Sequence, residues 1–361
     1  MTELLSARRV EAFRRIREEE AARLVSTIQA TSDGRLVNID ERLDEFMTDS
    51  AVRAIFGDRL PDRAAFLKIV KQGVGLSSLF DLRDLFPSSR LIRLLPRSGK
   101  AERHRQEMFK IMDNILRSHE ERRAARDGDE EQDMVDVLLR IQKEGNMRVS
   151  LSDGVIRDVF GAALDTTTTI LQWAVAELMA NPRVMQRVQS EVDYVLAGHA
   201  TVQEASLKSM HYLKVVIKET LRLHPPASLF PRVCVQDCKI QGYDVPRGAT
   251  MLTNTWAISR DPKYWYEPER FMPERFEGNG VADFRGLYFE FTPFGVGRRI
   301  CPGIDFAYAN VEIALASLIY HFDWELPPRV DPREIDMTEV FGATVRRKAA
   351  LFLRPVPRIP L

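Results

Sequence analysis

The sequence predicts a mainly α-helical protein with a small β part, and three observations lead to this fold class. Apolar residues recur at helical spacing between charged ones over most of residues 1–223. From about residue 224 onward, short β-like segments alternate with turns that contain glycine or proline. The chain has no internal repeat and no low-complexity segment. Its 361 residues predict one domain, 1–361, with a helical part over about 1–223 and a β-containing part over about 224–361.

Residues that typically end or start helices divide the helical part into segments. Gly57 ends one helical segment, and Asn181-Pro182 ends the longest one. Prolines interrupt residues 80–100, which we therefore predict to be a loop with short turns. The acidic run 127–133 predicts a link on the surface. The predicted helices cover about residues 3–30, 39–56, 101–126, 134–143, 153–180, 182–196 and 209–223.

The β-containing part starts after His224-Pro225-Pro226, where the helical spacing stops. Its short β-like segments are followed by an irregular region rich in aromatic residues and proline, which leads into a glycine-rich turn. A last long helix is predicted over about residues 304–321, and short β-like pieces follow near 337–355.

Composition excludes several kinds of partner. The chain carries 52 basic and 52 acidic residues, so its formal charge of zero favours neither nucleic acid nor an anionic membrane surface. No apolar run reaches the length of about 18 residues that spans a bilayer, and the N-terminal segment lacks the pattern of a signal peptide. By its own sequence the chain is therefore predicted to be soluble and to have no nucleic-acid partner.

The three cysteines and six histidines limit the metal and redox chemistry of the chain. A small and odd number of cysteines predicts no disulfide framework and favours a reducing compartment or the cytosolic face of a membrane. Cys234 and Cys238 lie four residues apart with no histidine nearby, and we interpret them as ordinary strand residues. The histidines show no His-Glu-x-x-His arrangement, so no zinc site is evident.

Cys301 ends a glycine-rich turn, Phe294 to Gly303, directly before the last long helix. The positive end of a helix lowers the pKa of a nearby thiol and favours the thiolate. Gly295 and Gly297 lack a Cβ, which lets backbone N–H groups approach the sulfur closely. The residues alone leave two interpretations open: a thiolate that binds a metal, or a buried free cysteine in a glycine turn.

The spacing Phe-x-x-Gly-x-Arg-x-Cys-x-Gly, formed by Phe294, Gly297, Arg299, Cys301 and Gly303, resembles the haem-binding signature of the cytochrome P-450 superfamily. The resemblance implies a haem cofactor with Cys301 as its axial thiolate ligand, which favours O–O cleavage. It also implies that Phe294, Arg299 and Gly303 belong to the cofactor site, with Phe294 beside the porphyrin on the thiolate side.

A glutamate and two arginines agree with this resemblance. Glu219 and Arg222 lie three residues apart, and therefore on one face of a predicted helix, although such a pair alone is weak evidence. The resemblance implies that Glu219, Arg222 and Arg275 form a buried structural cluster behind the haem, where two guanidinium groups satisfy one carboxylate. The tetrapeptide Pro-Glu-Arg-Phe around Arg275 also occurs five residues earlier around Arg270, which we assign to the surface.

The long predicted helix carries Ala162-Ala163-Leu164-Asp165-Thr166, which resembles the oxygen-activation motif of the family. The resemblance implies that Asp165 and Thr166 are catalytic and assist the delivery of protons to dioxygen. The local sequence leaves an alternative, in which Asp165 before four threonines caps the N-terminus of a helix. Ala163 replaces the usual glycine and Leu164 replaces the usual threonine of plant members, which predicts a narrower or drier groove above the haem.

The resemblance also nominates contacts to the haem propionates and to the substrate. Arg299 and Arg232 are always charged and suit the propionates, and the alternative for Arg232 is a cation on an exposed strand. The residues that would line the substrate pocket are mostly apolar, which fits an apolar small molecule. They are Phe160, Gly161, Leu164, Ala227 to Phe230, Phe341 and Ala343.

The resemblance covers essentially the whole chain and is closest to plant microsomal members. It implies a monooxygenase that inserts one oxygen atom from O2 into an apolar plant secondary metabolite. The electrons would come from NADPH through a flavin reductase, because the chain has no Gly-x-Gly-x-x-Gly fingerprint of its own. The alternatives are an isomerase or dehydratase on the same haem, and a non-catalytic haem-binding remnant.

The first ten residues resemble a segment from inside the family fold, just after a helix with a tryptophan and an arginine near the haem. We therefore expect a cytochrome P-450 fold that lacks its N-terminal anchor, first helices and N-terminal β-sheet. Such a truncated chain would lose one propionate contact and one wall of the active site. Full-length members lie at the cytosolic face of the endoplasmic reticulum membrane, so this localisation is also implied, although the chain has no anchor of its own.

Overall fold

The computed structural model of the protein describes residues 5–31, 34–57, 68–69, 72, 86, 89–94, 99–124, 133–144, 153–278, 283–285, 288–342 and 344–359. Within residues 153–180 it describes the side chains from Asp165 onward. Helices dominate the described part before residue 224, and short strands and irregular segments fill most of the part after it. The predicted fold class, mainly α with a small β part, is confirmed.

Most helices lie close to their predicted positions, whereas the two short helices Arg90–Arg93 and Thr255–Ile258 were not predicted. They are α1 (Ala7–Ala12), α2 (Arg14–Ala30), α3 (Ile39–Phe56), α4 (Arg90–Arg93), α5 (Gly99–Ala124), α6 (Met134–Glu144), α7 (Asp153–Ala180), α8 (Pro182–Val195), α9 (His211–Leu223), α10 (Thr255–Ile258) and α11 (Ile304–His321). Gly57 ends α3 with a φ of 74°, and Pro182 occupies the first turn of α8, where its missing N–H costs nothing. In the described part of the chain, no helix is both long enough and apolar enough to cross a bilayer.

One predicted helix, over about residues 3–30, is two helices in the structure. Phe13 separates α1 from α2, and its backbone N–H donates to the Val10 carbonyl at 3.1 Å. The side chain of Phe13 is only 5% exposed, because it packs into the apolar cluster between α3, α5 and α6. This tertiary contact turns the chain, and the spacing of residues in the sequence does not mark it.

The strands of the described residues form small antiparallel sheets. They are β1 (Val37–Asn38), β2 (Leu229–Val233), β3 (Cys238–Ile240), β4 (Tyr243–Val245), β5 (Thr250–Asn254), β6 (Phe322–Glu325), β7 (Glu339–Val340), β8 (Arg346–Arg347) and β9 (Phe352–Pro357). Strand β9 lies between β1 and β6, whereas β2 pairs with β5, β3 with β4, and β7 with β8. The sequence did not predict β1 and β6, since two and four residues are too few to show a period of two.

The main apolar core lies between α2, α3, α7, α8, α9 and α11. Leu171, Leu213 and Leu315 are fully buried in it and bring α7, α9 and α11 together. Phe294 and Cys301 pack against the edge of the same core. The glycine-rich turn is therefore supported by the most buried part of the protein, and this support fixes its position.

Candidate functional site

Cys301 lies at the end of a tight loop that leads from Phe294 into helix α11. The backbone N–H of Cys301 donates to the Phe294 carbonyl at 2.9 Å and closes the loop. Gly295 and Gly297 have φ values of 72° and 70°, a left-handed conformation that side chains disfavour, so this turn depends on glycine. A Cβ added to Gly303 would lie 3.8 Å from the sulfur of Cys301, which places the sulfur over the start of α11.

The protein alone does not make the sulfur of Cys301 a thiolate. Burial raises the pKa of the Cys301 thiol, and a hydrogen bond from the backbone N–H of Gly303 opposes burial only in part. The start of the helix lowers this pKa through the N–H of Gly303, as predicted, but burial raises it by more, so the net shift in the chain by itself is upward. A coordinated metal ion would reverse the balance, since it deprotonates a coordinating thiol outright.

Glu219, Arg222 and Arg275 meet in one buried ion cluster. Arg222 donates from Nε and Nη2 to the two carboxylate oxygens of Glu219 at 2.7 and 2.9 Å, and Arg275 Nε donates to Oε1 at 3.0 Å. The backbone N–H of Met272 also donates to Oε1, at 2.8 Å. The side chains of Glu219 and Arg222 are 0% exposed. One carboxylate thus receives four donated hydrogen bonds, the arrangement that stabilises a buried charge.

The two guanidinium groups of this cluster also fix the irregular chain that precedes the cysteine loop. Arg222 Nη1 donates to the carbonyls of Ser259 and Pro268 at 2.6 and 2.8 Å. Arg275 Nη1 donates to the Tyr266 carbonyl at 2.8 Å. Arg270 lies outside the cluster, since its side chain is 60% exposed and pairs with Glu267 at the surface, where the sequence places it.

A chain of aromatic rings connects the ion cluster with the cysteine loop. Trp265 lies 5.3 Å from the guanidinium of Arg222 and 5.7 Å from the ring of Phe276. The series continues through Phe291 and Phe284 and reaches Phe294, whose ring centroid lies 5.1 Å from that of Phe284. Trp265, Phe276, Phe284 and Phe291 are all buried. The loop that carries Cys301 is therefore packed against the cluster through rings in contact, which leaves it little freedom to move.

Two arginines lie beside the cysteine loop. Arg232, on strand β2, brings its Nη2 within 3.9 Å of the point that a Cβ on Gly295 would occupy. Arg299 belongs to the short 3₁₀ turn Gly297–Arg299 of the loop itself. Both arginines are exposed. The two interpretations of Arg232, a strand cation and a contact near the loop, are therefore compatible, because strand β2 carries it to the loop.

Asp165 lies well inside helix α7, so the interpretation of this residue as a helix cap is wrong. Its carboxylate accepts a hydrogen bond of 2.5 Å from the hydroxyl of Thr344 and forms an ion pair with Arg346. Arg346 Nε also donates to the Thr344 hydroxyl at 3.2 Å. Asp165 is 11% exposed and Arg346 is 41% exposed, so this ion pair reaches the surface. Thr166 is half-buried next to it.

The sequence did not identify Thr344 and Arg346. Arg346 starts β8 and Thr344 lies in the bend just before it, so no strand period relates the two side chains, although both face one neighbour. The neighbour is Asp165, 179 residues earlier in the chain than Thr344. Only the packing of β8 on α7 could identify it.

The structure describes only some of the predicted pocket residues. Ala227 and Phe230 are half-buried next to and on strand β2, and Phe341 is 58% exposed in the turn between β7 and β8. Ala343 lies outside the described residues, and so do the side chains of the helical residues Phe160, Gly161 and Leu164. The grouping of these residues into one pocket therefore stays a prediction.

A second polar network holds the segment from β7 to β8 on the helices, and no sequence motif predicted it. His224 directly follows α9, and its Nε2 lies 2.7 Å from Oε1 of Glu177 on α7. The imidazole stacks on Trp173 of α7 with ring centroids 3.8 Å apart. Trp173 in turn donates from Nε1 to the carbonyl of Val345 at 2.9 Å. The ends of α7 and α9 are thereby connected to the segment that carries Thr344 and Arg346.

Glu339, at the start of β7, also belongs to this network, where it lies near His224, Arg260 and Trp256. Its Oε1 lies 3.7 Å from Nδ1 of His224, an ion-pair distance that is too long for a hydrogen bond. Arg260 lies 3.5 Å from the same oxygen, and Trp256 donates to the other oxygen at 3.1 Å. Burial raises the pKa of Glu339, but His224 and Arg260 outweigh burial and hold this pKa below its ordinary value. The carboxylate of Glu339 is therefore charged at neutral pH.

Comparisons with known proteins agree with the geometry. A family profile described as Cytochrome P450 matches residues 1–353. Desmethyl-deoxy-podophyllotoxin synthase of Sinopodophyllum hexandrum is 44% identical over 98% of this chain and 71% of its own length. Tabersonine 6,7-epoxidase isoform 1 of Catharanthus roseus is 43% identical over 98% and 71%. A zebrafish cytochrome P450 solved with abiraterone matches the fold with a TM-score of 0.80 at 24% identity, over 99% of this chain and 79% of that one.

Proposed function

Because the chain belongs to the cytochrome P450 family of haem-thiolate monooxygenases, we propose that Cys301 ligates the haem iron and that the protein oxidises an apolar plant metabolite. The observation that carries this proposal is the loop around Cys301. Its sulfur lies over the start of α11, its two glycines have positive φ, and its position is fixed by packing against a buried ion cluster. A free cysteine without a ligand would not need a turn restrained in this way.

The residues at the loop fit a haem. Cys301 provides the sulfur for the iron, and Arg232 and Arg299 provide two cations beside it for two propionates. Phe294 presents an aromatic ring on the sulfur side, held by Phe284. When bound, the haem supplies the iron at which dioxygen is activated, and the thiolate ligand favours O–O cleavage.

Asp165 and Thr166 are the groups that we propose to deliver protons to dioxygen. A carboxylate and a hydroxyl on one helix can hold a water and pass a proton to a nearby acceptor. Asp165 is held by Thr344 and Arg346, and Thr344 supplies a hydroxyl within 2.5 Å of the carboxylate. In its ion pair with Arg346 the carboxylate of Asp165 carries no proton, so in this proposal it takes one up from water at the surface, where Arg346 is 41% exposed, and then passes it on.

The names of the relatives support oxygen insertion as the reaction. One relative is named an epoxidase and another, from rice, an ent-isokaurene C2/C3-hydroxylase, 42% identical over 99% of this chain. Both names describe the addition of one oxygen atom to an organic substrate. We propose the same reaction class here, on an apolar secondary metabolite that the pocket residues Ala227, Phe230 and Phe341 contact.

Electrons have to come from another protein in this proposal. The chain contains no Gly-x-Gly-x-x-Gly fingerprint for a nicotinamide or flavin cofactor. We therefore propose that an NADPH-dependent flavin reductase is the electron donor, at the cytosolic face of the endoplasmic reticulum. Arg298, an exposed arginine of the cysteine loop with no role in the cofactor site, offers it a positive charge close to the sulfur.

Isotopically labelled dioxygen tests this function. The haem-loaded chain is incubated with NADPH, a plant flavin reductase and a panel of apolar plant metabolites, and the products are analysed by mass spectrometry. We expect a product with one labelled oxygen atom that forms only when the reductase is present. A product that forms without reductase and without label would instead indicate an isomerase or dehydratase.

Thr166→Ala separates proton delivery from oxygen binding. We expect this variant to keep the haem spectrum of the parent protein but to release more hydrogen peroxide for each NADPH consumed, because a positioned hydroxyl is lost. The neighbouring Thr168→Ala is the matched control, since Thr168 lies on another face of the same helix and is buried. Equal product yield in Thr166→Ala and the parent protein would remove Thr166 from the mechanism.

A further inference from the structure

Cys234 and Cys238 lie next to each other, and the proposed function uses neither of them. Their sulfur atoms are 3.6 Å apart, and both residues are free thiols that are partly exposed. Two sulfurs in a disulfide are about 2.05 Å apart, so these sulfurs have to approach each other by only about 1.5 Å to form the bond. The prediction that both are strand residues is correct for Cys238, which starts β3, but Cys234 lies just after β2.

The backbone fixes both residues in this arrangement. The N–H of Cys234 donates to the Ala249 carbonyl at 2.9 Å, and the N–H of Gly248 donates to the Cys234 carbonyl at 2.8 Å. Cys238 pairs with Val245 in the antiparallel ladder of β3 and β4. The backbones of both cysteines are therefore hydrogen-bonded to the same segment, residues 245–249, which keeps the two cysteines next to each other.

We propose that Cys234 and Cys238 form a reversible disulfide when the protein meets hydrogen peroxide. A thiolate sulfur of the pair attacks the peroxide, which gives a sulfenic acid and hydroxide, and the hydroxide takes up a proton to become water. The neighbouring sulfur then attacks the sulfenic acid, the S–S bond forms, and a second water leaves. Two thiols are oxidised by two electrons and one peroxide is reduced to two waters. A thiol such as glutathione reverses the reaction by thiol–disulfide exchange.

A disulfide between Cys234 and Cys238 is expected to form slowly and to be easy to reduce. A hydrogen bond with Cys234, and then burial, raise the pKa of Cys238, so few thiolates exist at neutral pH and oxidation needs sustained peroxide. An exposed disulfide is in general easier to reduce than a buried one, which suits reversal in a reducing compartment. Cys234 follows the strand that carries Arg232 beside the cysteine loop, so the bond would restrain the end of that strand.

Thiol mapping tests the proposal without any need for bound haem, so its outcome is independent of the proposed function. The full chain is reduced, exposed to hydrogen peroxide, alkylated without reductant, digested and analysed by mass spectrometry. We expect the number of alkylated cysteines to fall from three to one, Cys301, with a peptide in which Cys234 and Cys238 have together lost two hydrogens. Reduced glutathione is expected to restore all three.

Two variants make the result specific. Cys301→Ser should still form the bond, whereas Cys238→Ser should form no intramolecular disulfide and should leave Cys234 as a sulfenic acid that a dimedone probe traps. Three results would overturn the proposal: both cysteines remain alkylated after peroxide, either pairs with Cys301, or both go directly to sulfonic acid, which glutathione does not reverse.

Discussion

Two carboxylates of this protein illustrate two different uses of a buried negative charge. Glu219 is 0% exposed and accepts hydrogen bonds from two arginines and a backbone N–H. Both arginines also donate to backbone carbonyls, which hold them in place. Asp165 is 11% exposed and depends on a threonine and on Arg346, which is 41% exposed. The first carboxylate has no freedom to change partner, whereas the second can release Arg346 to water. A structural role suits Glu219, and a role in proton transfer suits Asp165.

The largest effect is expected at Glu219, because it has the most partners to lose. Glu219→Gln removes the negative charge and leaves Arg222 and Arg275 together without a counter-charge in a dry site. We expect the free energy of unfolding to fall by about 3–5 kcal/mol. Urea denaturation followed by circular dichroism measures this change.

The control for this variant is Arg270→Ala, in the repeated tetrapeptide. Arg270 pairs with Glu267 at the surface, so its loss should cost no more than about 0.5 kcal/mol. If the two variants lose the same stability, the ion cluster does not hold the fold as described, and the contrast with Asp165 fails.

A third carboxylate, Glu312 on helix α11, is half-buried and has neither the arginines of Glu219 nor the threonine of Asp165. Its Oε1 is buried without a hydrogen-bond partner, and burial raises its pKa to about 7, above the ordinary 4.5. The unfolded chain loses this proton at lower pH than the folded one. Stability therefore falls as the pH rises from about 4.5 to 7 and stays low above that range.

Glu312→Gln should remove this pH dependence. Each pKa unit corresponds to about 1.4 kcal/mol, so the variant is expected to be more stable than the parent by up to about 3 kcal/mol at pH 8 and nearly equal at pH 4. Urea unfolding at both pH values measures it, with the exposed Glu121→Gln as the matched control. A difference in stability between Glu312→Gln and the parent that is the same at both pH values would contradict the origin given for the shift.

The smallest effect on stability is expected at Arg346. Arg346→Gln leaves Asp165 with the hydroxyl of Thr344, and a half-exposed ion pair contributes at most about 1 kcal/mol. Arg346→Lys, which keeps the charge, serves as the control in the same urea experiment. A loss as large as that of Glu219→Gln would mean that Asp165 is locked in place and is unsuited to move a proton.

Sequence patterns predicted the elements of this fold better than the contacts between them. Gly57 and Asn181-Pro182 mark helix ends by local chemistry that needs no other part of the chain, and the structure has those ends where predicted. Phe13 interrupts a regular helical pattern because a distant cluster buries it. Strand β1, only two residues long, pairs with β9 more than 300 residues later, where local periodicity carries no information.

In the candidate site, too, some residues could be predicted from the sequence and others only from contacts in the structure. The cysteine loop and the Glu219 cluster could be predicted because their short motifs resemble those of the family, and the structure brings their members together. The partners of Asp165 could not, since Thr344 and Arg346 approach it through the packing of β8 on α7. His224 was likewise identified only by its contacts with Glu177 and Trp173.

The central claim is that the restrained loop makes Cys301 a haem ligand. Its most direct test is the absorption spectrum of the reduced, carbon monoxide-bound protein after haem loading, measured for the parent protein and for Cys301→Ala, with Cys234→Ala as the matched control. We expect a thiolate-type Soret band in the parent and in Cys234→Ala, and none in Cys301→Ala. The same band in all three proteins, or no band in the haem-loaded parent, would contradict the assignment of Cys301 as the ligand.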